Sequence, residues 1–299
     1  MVDRVLVTGV SGFVGGHVAL ELLRAGYAVR GSVRDLAKAD KVSDTLGRHG
    51  ADLSRLDIVA LDLMRDAGWT EAMAGIRFLH HVASPFVIRM PRDRDALIRP
   101  AVEGTVRALE AAFAASVERV VLTSSMAAIM YGHGPDRRTP YGPQDWTDPG
   151  GPDVTAYVES KVRAERAAWE IAVRLGRRGD LVTINPGGIY GPLLDEDPGT
   201  SAQIVLRLLN GSIPMAARIA LPAVDVRDVA ALHLKAMTDT GAGGRRFPLS
   251  AGSPSLFEMA NALRPAFPRY ARKLPRGEVP DWLVRIFAFL DNDTRDNIG

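Results

Sequence analysis

The feature that most restricts this fold is an alternation. Short apolar runs that read as buried strands are each followed by a longer stretch with helical spacing, through roughly the first 185 residues. Residues 4–8 are the first strand candidate, 12–25 the first helix and 27–33 the second strand. Strands at 56–60 and 77–82 follow, with helical composition at 66–74 and 94–115. The apolar strand 119–123, a helix over 155–175 and a strand over 181–184 continue the pattern. Strands joined through helices return to the same end of a sheet, so they pair in parallel and are covered on both faces. The predicted class is α/β, a doubly wound, mostly parallel sheet with a smaller C-terminal region.

The last third is less regular. Residues 200–209, 226–238, 254–263 and 280–290 are helical candidates, and 246–249 is a short strand. Residues 131–153 hold several Gly, Pro and polar positions and read as a long loop of the kind that carries function. The expected organisation is a domain over 1–185 that binds a nucleotide and includes the helix at 155–175. A substrate-binding region covers 186–299, with segments at about 221–250 returning to the first domain.

Composition excludes several classes. A chain of 299 residues with 46% hydrophobic and 24% charged residues can bury a large core. It contains no cysteine, which excludes disulfides, thiolate nucleophiles and thiolate metal sites. The 37 basic and 35 acidic residues nearly balance. Basic clusters such as Arg269-Tyr270-Ala271-Arg272-Lys273 are interrupted by other residue types and follow no nucleic-acid-binding pattern, so no nucleic-acid partner is expected. No stretch reaches the ~20 apolar residues that span a bilayer, and the N-terminus runs directly into a strand pattern. The expectation is a cytoplasmic protein without a membrane partner.

Gly9-Val10-Ser11-Gly12-Phe13-Val14-Gly15 lies between the first strand and the first helix. Small residues let backbone approach a pyrophosphate there, and the free N–H groups of the helix start favour its charge. The spacing is Gly-x-x-Gly-x-x-Gly. The second strand ends near Arg34, without the acid that would hold an NAD ribose, and Arg34 offers donors for a 2′-phosphate. The expected cofactor is therefore NADP(H), on a Rossmann-type sheet. Asp62 and Leu63 would border the adenine; alternatively, Asp62 caps a turn or lies at the surface. His80-His81-Val82-Ala83-Ser84-Pro85 would line the ribose and nicotinamide approach. His80 and His81 point to opposite sides of an extended strand and lack a third ligand at suitable spacing, so no metal is expected.

Tyr157 and Lys161 are four residues apart on one helix face. A nearby ammonium favours phenolate, which suits Tyr157 to exchange a proton with an alcohol or carbonyl oxygen. Thr123-Ser124-Ser125 ends a strand, where a hydroxyl can orient a substrate oxygen. Ser125 is preferred and Ser124 is its rival. Alternatively, these hydroxyls close the turn after the strand.

With these residues assembled, the chain resembles the extended short-chain dehydrogenase/reductase family. The resemblance rests on Val7 through Gly15, Thr123-Ser124-Ser125, Tyr157 through Lys161, and Asn185-Pro186-Gly187-Gly188-Ile189-Tyr190-Gly191-Pro192. Val29 through Asp35 and His81-Val82-Ala83-Ser84-Pro85 look most like the dihydroflavonol reductase, cinnamoyl-CoA reductase and microbial aldehyde/ketone reductase branch. The resemblance implies that Ser125, Tyr157 and Lys161 carry the chemistry and that Lys161 also binds nicotinamide-ribose hydroxyls. It implies cofactor contacts at Gly9, Ser11, Gly12, Phe13, Val14, Gly15, Arg34, Asp62, Leu63, Val82, Ala83, Ser84, Thr123, Pro186, Gly187 and Ile189. Substrate contacts are expected at Ser84, Pro85, Ser125, Met126, Met130, Tyr131, Tyr157 and Gly187. Met130 stands where a flavonoid reductase would place asparagine, and a thioether lacks that donor and acceptor pair. An aromatic or apolar carbonyl is therefore expected over a dihydroflavonol.

The expected reaction is NADPH-dependent reduction of an aldehyde or ketone, reversible as alcohol oxidation, by a monomer or homodimer acting on small molecules. The alternatives are a nucleotide-sugar epimerase or dehydratase and an inactive dinucleotide-binding regulator. Relatives usually continue beyond the position matching Gly299; either a covering segment is missing and the substrate entrance is more open, or the sequence as given stops short of the natural end.

Overall fold

Each central strand is split between two apolar layers, which explains why it reads as a continuous apolar run. In β1 (Arg4–Thr8), Val5 and Val7 belong to one buried cluster and Leu6 to another. The same division recurs in β4 (Phe78–His81), between Phe78 and Leu79, and in β5 (Arg119–Thr123), between Val121 and its neighbours Val120 and Leu122. Side chains alternate across a strand, so helices must cover both faces. The first layer packs α1 (Phe13–Arg24), α2 (Ala39–Arg48) and α7 (Val226–Thr238). The second packs α3 (Trp69–Met73), α4 (Asp95–Ala114) and α5 (Ala156–Arg174).

The structure is a computed structural model and describes residues 2–85, 93–134, 137–196 and 199–280. Among these residues the main sheet has seven strands, all parallel, in the order β3-β2-β1-β4-β5-β6-β9. Its remaining members are β2 (Ala28–Val33), β3 (Leu56–Ala60), β6 (Leu181–Pro186) and β9 (Arg246–Leu249). Winding runs outward in both directions from the β1/β4 pair, and the crevice beyond the carboxyl ends of those strands is where such sheets bind ligands. The doubly wound α/β expectation holds.

Several local expectations shift. Residues 66–74 were expected to be helical throughout, but α3 begins only after Gly68, whose φ of +88° breaks the preceding turn. β6 extends two residues past its expected end because pairing with β9 continues to Pro186 and Leu249. The sequence reading placed nothing at α2, which buries only Val42, Thr45 and Leu46 on one face. Of the expected helix at 280–290, residues 281–290 lie outside the described residues.

The chain divides into two compact units. The first comprises residues 1–186, 191–197 and 226–249, and the second 187–190, 198–225 and 250–299. In the second unit, β7 (Gly188–Tyr190) pairs in parallel with β8 (Ala223–Asp225). α6 (Gly199–Asn210) and α8 (Leu256–Ala266) enclose a small core of Leu208, Ala260 and Leu274. Ser255 starts α8 with a reciprocal capping box to Glu258.

Candidate active site

The turn after β1 is built from close backbone contacts. Gly9 adopts φ +74°, and the N–H groups of Gly9 and Val10 both donate to the Ser32 carbonyl of β2, at 3.0 and 3.1 Å. The Gly12 N–H then donates back to the Gly9 carbonyl at 3.0 Å. A Cβ on Gly15 would stand 2.2 Å from that oxygen, so α1 can approach the turn only with glycine there. Gly31 serves β2 in the same way: a Cβ on it would lie 2.8 Å from a Val10 methyl. Gly12 caps α1 without a side-chain hydrogen bond. Ser11 and Gly12 are exposed, and Phe13 and Val14 are half-buried. This cradle of unblocked helix-start amides fits a pyrophosphate.

Arg34 lies exposed just beyond β2, and Lys38 ends the short 3₁₀ turn Leu36–Lys38 that follows. Arg34 and Lys38 are thus two exposed cations four residues apart after the second strand. Asp62 closes its own turn: its Oδ1 accepts from the Met64 N–H at 2.9 Å, and its carbonyl receives the Trp69 indole N–H at 3.3 Å. Leu63 packs against Gly104 of α4, where a Cβ would come within 2.8 Å of it.

Thr8 organises the end of β4, a role the sequence reading did not assign. Its hydroxyl oxygen accepts from the Val82 and Ala83 N–H groups, both at 3.0 Å, and lies 3.0 Å from His81 Nδ1. With both lone pairs taken, the hydroxyl proton must go to His81, which makes Nδ1 the acceptor and leaves the ring proton on Nε2. Burial, and then the Lys161 charge, hold His81 down at about 4, so the ring is neutral at physiological pH. His80 is enclosed within the sheet, against Met237 at 3.2 Å and the His233 ring, rather than lining the approach. Among the described residues no group of three or more His, Asp or Glu could hold a metal ion.

Past this turn, Ser84 accepts a hydrogen bond from Lys161 Nζ at 2.9 Å. The ammonium lies 5.6 Å from the Tyr157 ring centre. Both residues sit in the first turns of α5, whose start Thr155 caps by accepting from the Val158 N–H at 3.3 Å. Burial lowers the Lys161 ammonium to about 8. Burial raises the Tyr157 phenol, and a hydrogen bond with the Ser125 hydroxyl opposes that rise. Both residues keep some exposed surface.

Ser125 both faces Tyr157 and closes the following 3₁₀ turn, with its oxygen accepting from the Ala127 N–H at 3.1 Å. Its rival Ser124 is committed elsewhere, donating to the buried Glu165 carboxylate at 2.5 Å. Thr123 turns its hydroxyl to His233 Nε2 at 2.7 Å, while that ring's Nδ1 donates to the Val229 carbonyl. After Ser125, Met126, Met130 and Tyr131 are partly buried at the start of the long loop, and Pro85 is likewise partly buried beyond Ser84. Burial and the neighbouring Tyr157 raise the Tyr131 phenol, which brings the two phenols into one electrostatic environment. Pro186 is buried at the end of β6. In the second unit, Gly187 abuts the Pro222 carbonyl, 2.3 Å from where a Cβ would stand, and the Ile189 N–H donates to Ser201.

A glycine cradle at a switch point, with a phenol, an ammonium and a strand-end hydroxyl gathered beside it, defines the class as a Rossmann-type oxidoreductase. The chain belongs to the NAD dependent epimerase/dehydratase family, whose sequence model matches residues 5–249, in its extended short-chain dehydrogenase/reductase group. It is 34% identical over 316 residues to the ketoreductase azaE of Aspergillus niger, covering 100% of this chain and 93% of that protein. It is 37% identical over 249 residues to the cinnamoyl-CoA reductase CAD2 of Medicago truncatula, covering 81% and 74% of the two chains. Among solved structures it is similar to yeast methylglyoxal/isovaleraldehyde reductase Gre2 complexed with NADPH. That match has a TM-score of 0.79 and 26% identity, and covers 91% of this chain and 85% of that one.

Proposed function

We propose that this protein reduces an aldehyde or ketone, aromatic or otherwise apolar, to the alcohol with NADPH, and oxidises alcohols by the reverse path. The observation that carries this reading is the hydroxyl, phenol and ammonium of Ser125, Tyr157 and Lys161, gathered beyond the carboxyl end of the sheet. The names of the relatives, a ketoreductase and a cinnamoyl-CoA reductase, and of the NADPH-bound yeast reductase support the same chemistry.

Gly9, Gly12 and Gly15 with the amides of Ser11, Phe13, Val14 and Gly15 would hold the pyrophosphate, and Arg34 with Lys38 the 2′-phosphate. Asp62 and Leu63 would border the adenine. Val82, Ala83, Ser84 and Thr123 would flank the ribose and nicotinamide, and Pro186, Gly187 and Ile189 would be further cofactor contacts. Bound NADPH supplies the hydride. Ser125 orients the carbonyl oxygen through its hydroxyl. Tyr157 gives that oxygen its phenolic proton, because burial keeps the phenol protonated at neutral pH and so available as a donor. The Lys161 ammonium steadies the phenolate left behind and donates to ribose hydroxyls. Met126, Met130, Tyr131 and Pro85 would face an apolar substituent, and Met130 offers no partner for a flavonoid hydroxyl. The first unit would bind the nucleotide, and the second would carry substrate-binding residues. Action in the cytoplasm, as monomer or homodimer, belongs to the same proposal. No helix among the described residues is long and apolar enough to cross a membrane.

The test is oxidation of NADPH and NADH by the purified protein across apolar, aromatic and sugar carbonyl compounds, with products identified. Alcohol formation with preference for NADPH is expected. A sugar product formed without net NADPH consumption would overturn the reading in favour of epimerisation.

A further inference from the structure

A buried ion pair lies beside the Ser125 cluster without taking part in the proton transfer assigned to it. Glu165, on α5 two turns past Tyr157, has a side chain with 0% exposure, and its partner Arg246 on β9 has 8%. The carboxylate receives five donors. Oε2 accepts from Ser124 Oγ at 2.5 Å and Asn185 Nδ2 at 2.7 Å. Oε1 accepts from Arg246 Nε at 2.6 Å, Thr183 Oγ1 at 3.0 Å and Trp169 Nε1 at 3.3 Å. Asn185 Nδ2 also donates to the Ser125 carbonyl at 3.2 Å. The guanidinium continues outward to the carbonyls of Asp145 at 2.5 Å, Pro143 at 3.0 Å and Ala128 at 3.4 Å, and it stacks 3.7 Å from the Trp146 ring centre. One pair therefore ties α5, the end of β5, β6 and β9 to the 3₁₀ turn after Ser125 and to the loop at 131–153.

Net stability is a weak reason for this arrangement. Desolvating two ions costs several kcal/mol each, and well-packed apolar groups often replace such a pair without loss. Hydrogen bonds differ from apolar contacts in fixing direction: a packed apolar cluster tolerates small sliding, while five donors on one carboxylate do not.

We propose that Glu165 and Arg246 are positioning residues, with Glu165 fixing the Ser125 peptide through Ser124 and Asn185, and Arg246 fixing the substrate-facing loop through its backbone carbonyls. The proposal rests on the reading of Ser125 as the group that orients the carbonyl.

The test compares Ser125→Ala, Glu165→Gln, Ser124→Ala and Arg246→Lys with the unaltered protein, using NADPH and the aromatic aldehyde turned over fastest, and its alcohol for the reverse direction. Glu165→Gln is expected to lower kcat by about 100-fold, the scale of a misplacement near 1 Å, with the KM for NADPH unchanged. It should also move the pH midpoint of alcohol oxidation upward, because the Ser125 hydrogen bond that favours the Tyr157 phenolate is weakened. The other titratable groups near that phenol, Lys161 on α5 and Tyr131 in the loop, are left in place. A partly unfolded preparation would reduce the amplitude without moving the midpoint. Arg246→Lys keeps the charge beside Glu165 but drops the loop carbonyls, so it should raise the KM of the aldehyde more than it lowers kcat. If Ser125→Ala is impaired while folded Glu165→Gln keeps normal kcat and midpoint, the positioning role is wrong and the reading of Ser125 stands. Full turnover by Ser125→Ala would overturn both. Should Glu165→Gln fail to fold, Ser124→Ala removes one of the five donors with little loss of volume. It is expected to show the same fall in kcat at constant NADPH KM, and normal kinetics there would overturn the proposal.

Discussion

Tyr157 is pulled in two directions. Burial favours its phenol and the Ser125 hydroxyl favours its phenolate, with burial the larger influence. Replacement by phenylalanine keeps the ring against Lys161 and removes only the exchangeable proton. Tyr157→Phe should therefore lower kcat by about 100-fold or more, within the range of general acid catalysis. Its nucleotide affinity, measured by NADPH fluorescence, should stay near that of the unaltered protein. Lys161 yields a pH prediction. Its ammonium is lowered from 10.5 to about 8 by burial, so the folded protein releases this proton as pH rises through about 8, while the unfolded chain retains it to about 10.5. Between those values the unfolded chain binds more protons, and the contribution of this group to stability rises with pH. Ribose binding runs the opposite way because the neutral amine has fewer hydrogens to donate, so NADPH affinity should decline above pH ~8. Lys161→Met should bind weakly at every pH, and a decline of unaltered size in that variant would assign it to another group. Arg34→Ala should raise the KM for NADPH about tenfold or more, matching the loss of one charge-assisted hydrogen bond, and leave the KM for NADH nearly unchanged.

At the scale of elements, the β1–turn–α1 unit was legible because each part carries its own signal. Val5 through Val7 are apolar on both sides of the strand, and Gly9, Gly12 and Gly15 leave little choice about the turn. Adding one carbon at Gly15 should be severe, since its Cβ would lie 2.2 Å from the Gly9 carbonyl oxygen and backbone cannot rotate aside. Gly15→Ala is expected to destabilise by about 1–3 kcal/mol, the usual range for overpacking, and to weaken NADPH binding further by pushing α1 away from the turn. Chemical denaturation and nucleotide titration would separate the two effects. Elements with weaker signals were not read. α2 buries only three residues, so its apolar stripe barely rises above its charged surroundings. The strands β7 and β8 are three residues each, too short for a period of two to register.

For the whole molecule, two units imply that melting need not be a single event. The glycine turn, Arg34, Tyr157 and Lys161 all belong to the first unit, so NADPH should raise the transition of that unit. At a nucleotide concentration of about 100 times Kd the gain is roughly 2.7 kcal/mol. Calorimetry with NADPH, with NADH and without nucleotide would check this. Equal shifts from both nucleotides at equal concentration would contradict the preference for the 2′-phosphate.

The sequence alone determined the α/β class, the winding of the sheet and the glycine turn. Those properties follow from local rules of apolar period, backbone freedom and helix spacing, each read within a few neighbouring residues. The same spacing put Tyr157 and Lys161 on one helix face. The sequence already favoured Ser125 over Ser124, but only the tertiary structure gave the different partners of the two hydroxyls: Glu165, 41 residues away from Ser124, takes one, and the other meets the phenol. Likewise, Thr8 became the organiser of the β4 end through partners 73 to 75 positions distant. Arg246 met Glu165 only when β9 closed the edge of the sheet beside β6. A hydrogen bond depends on where two atoms finally stand, and residues this far apart in the chain acquire that geometry only when the layers pack.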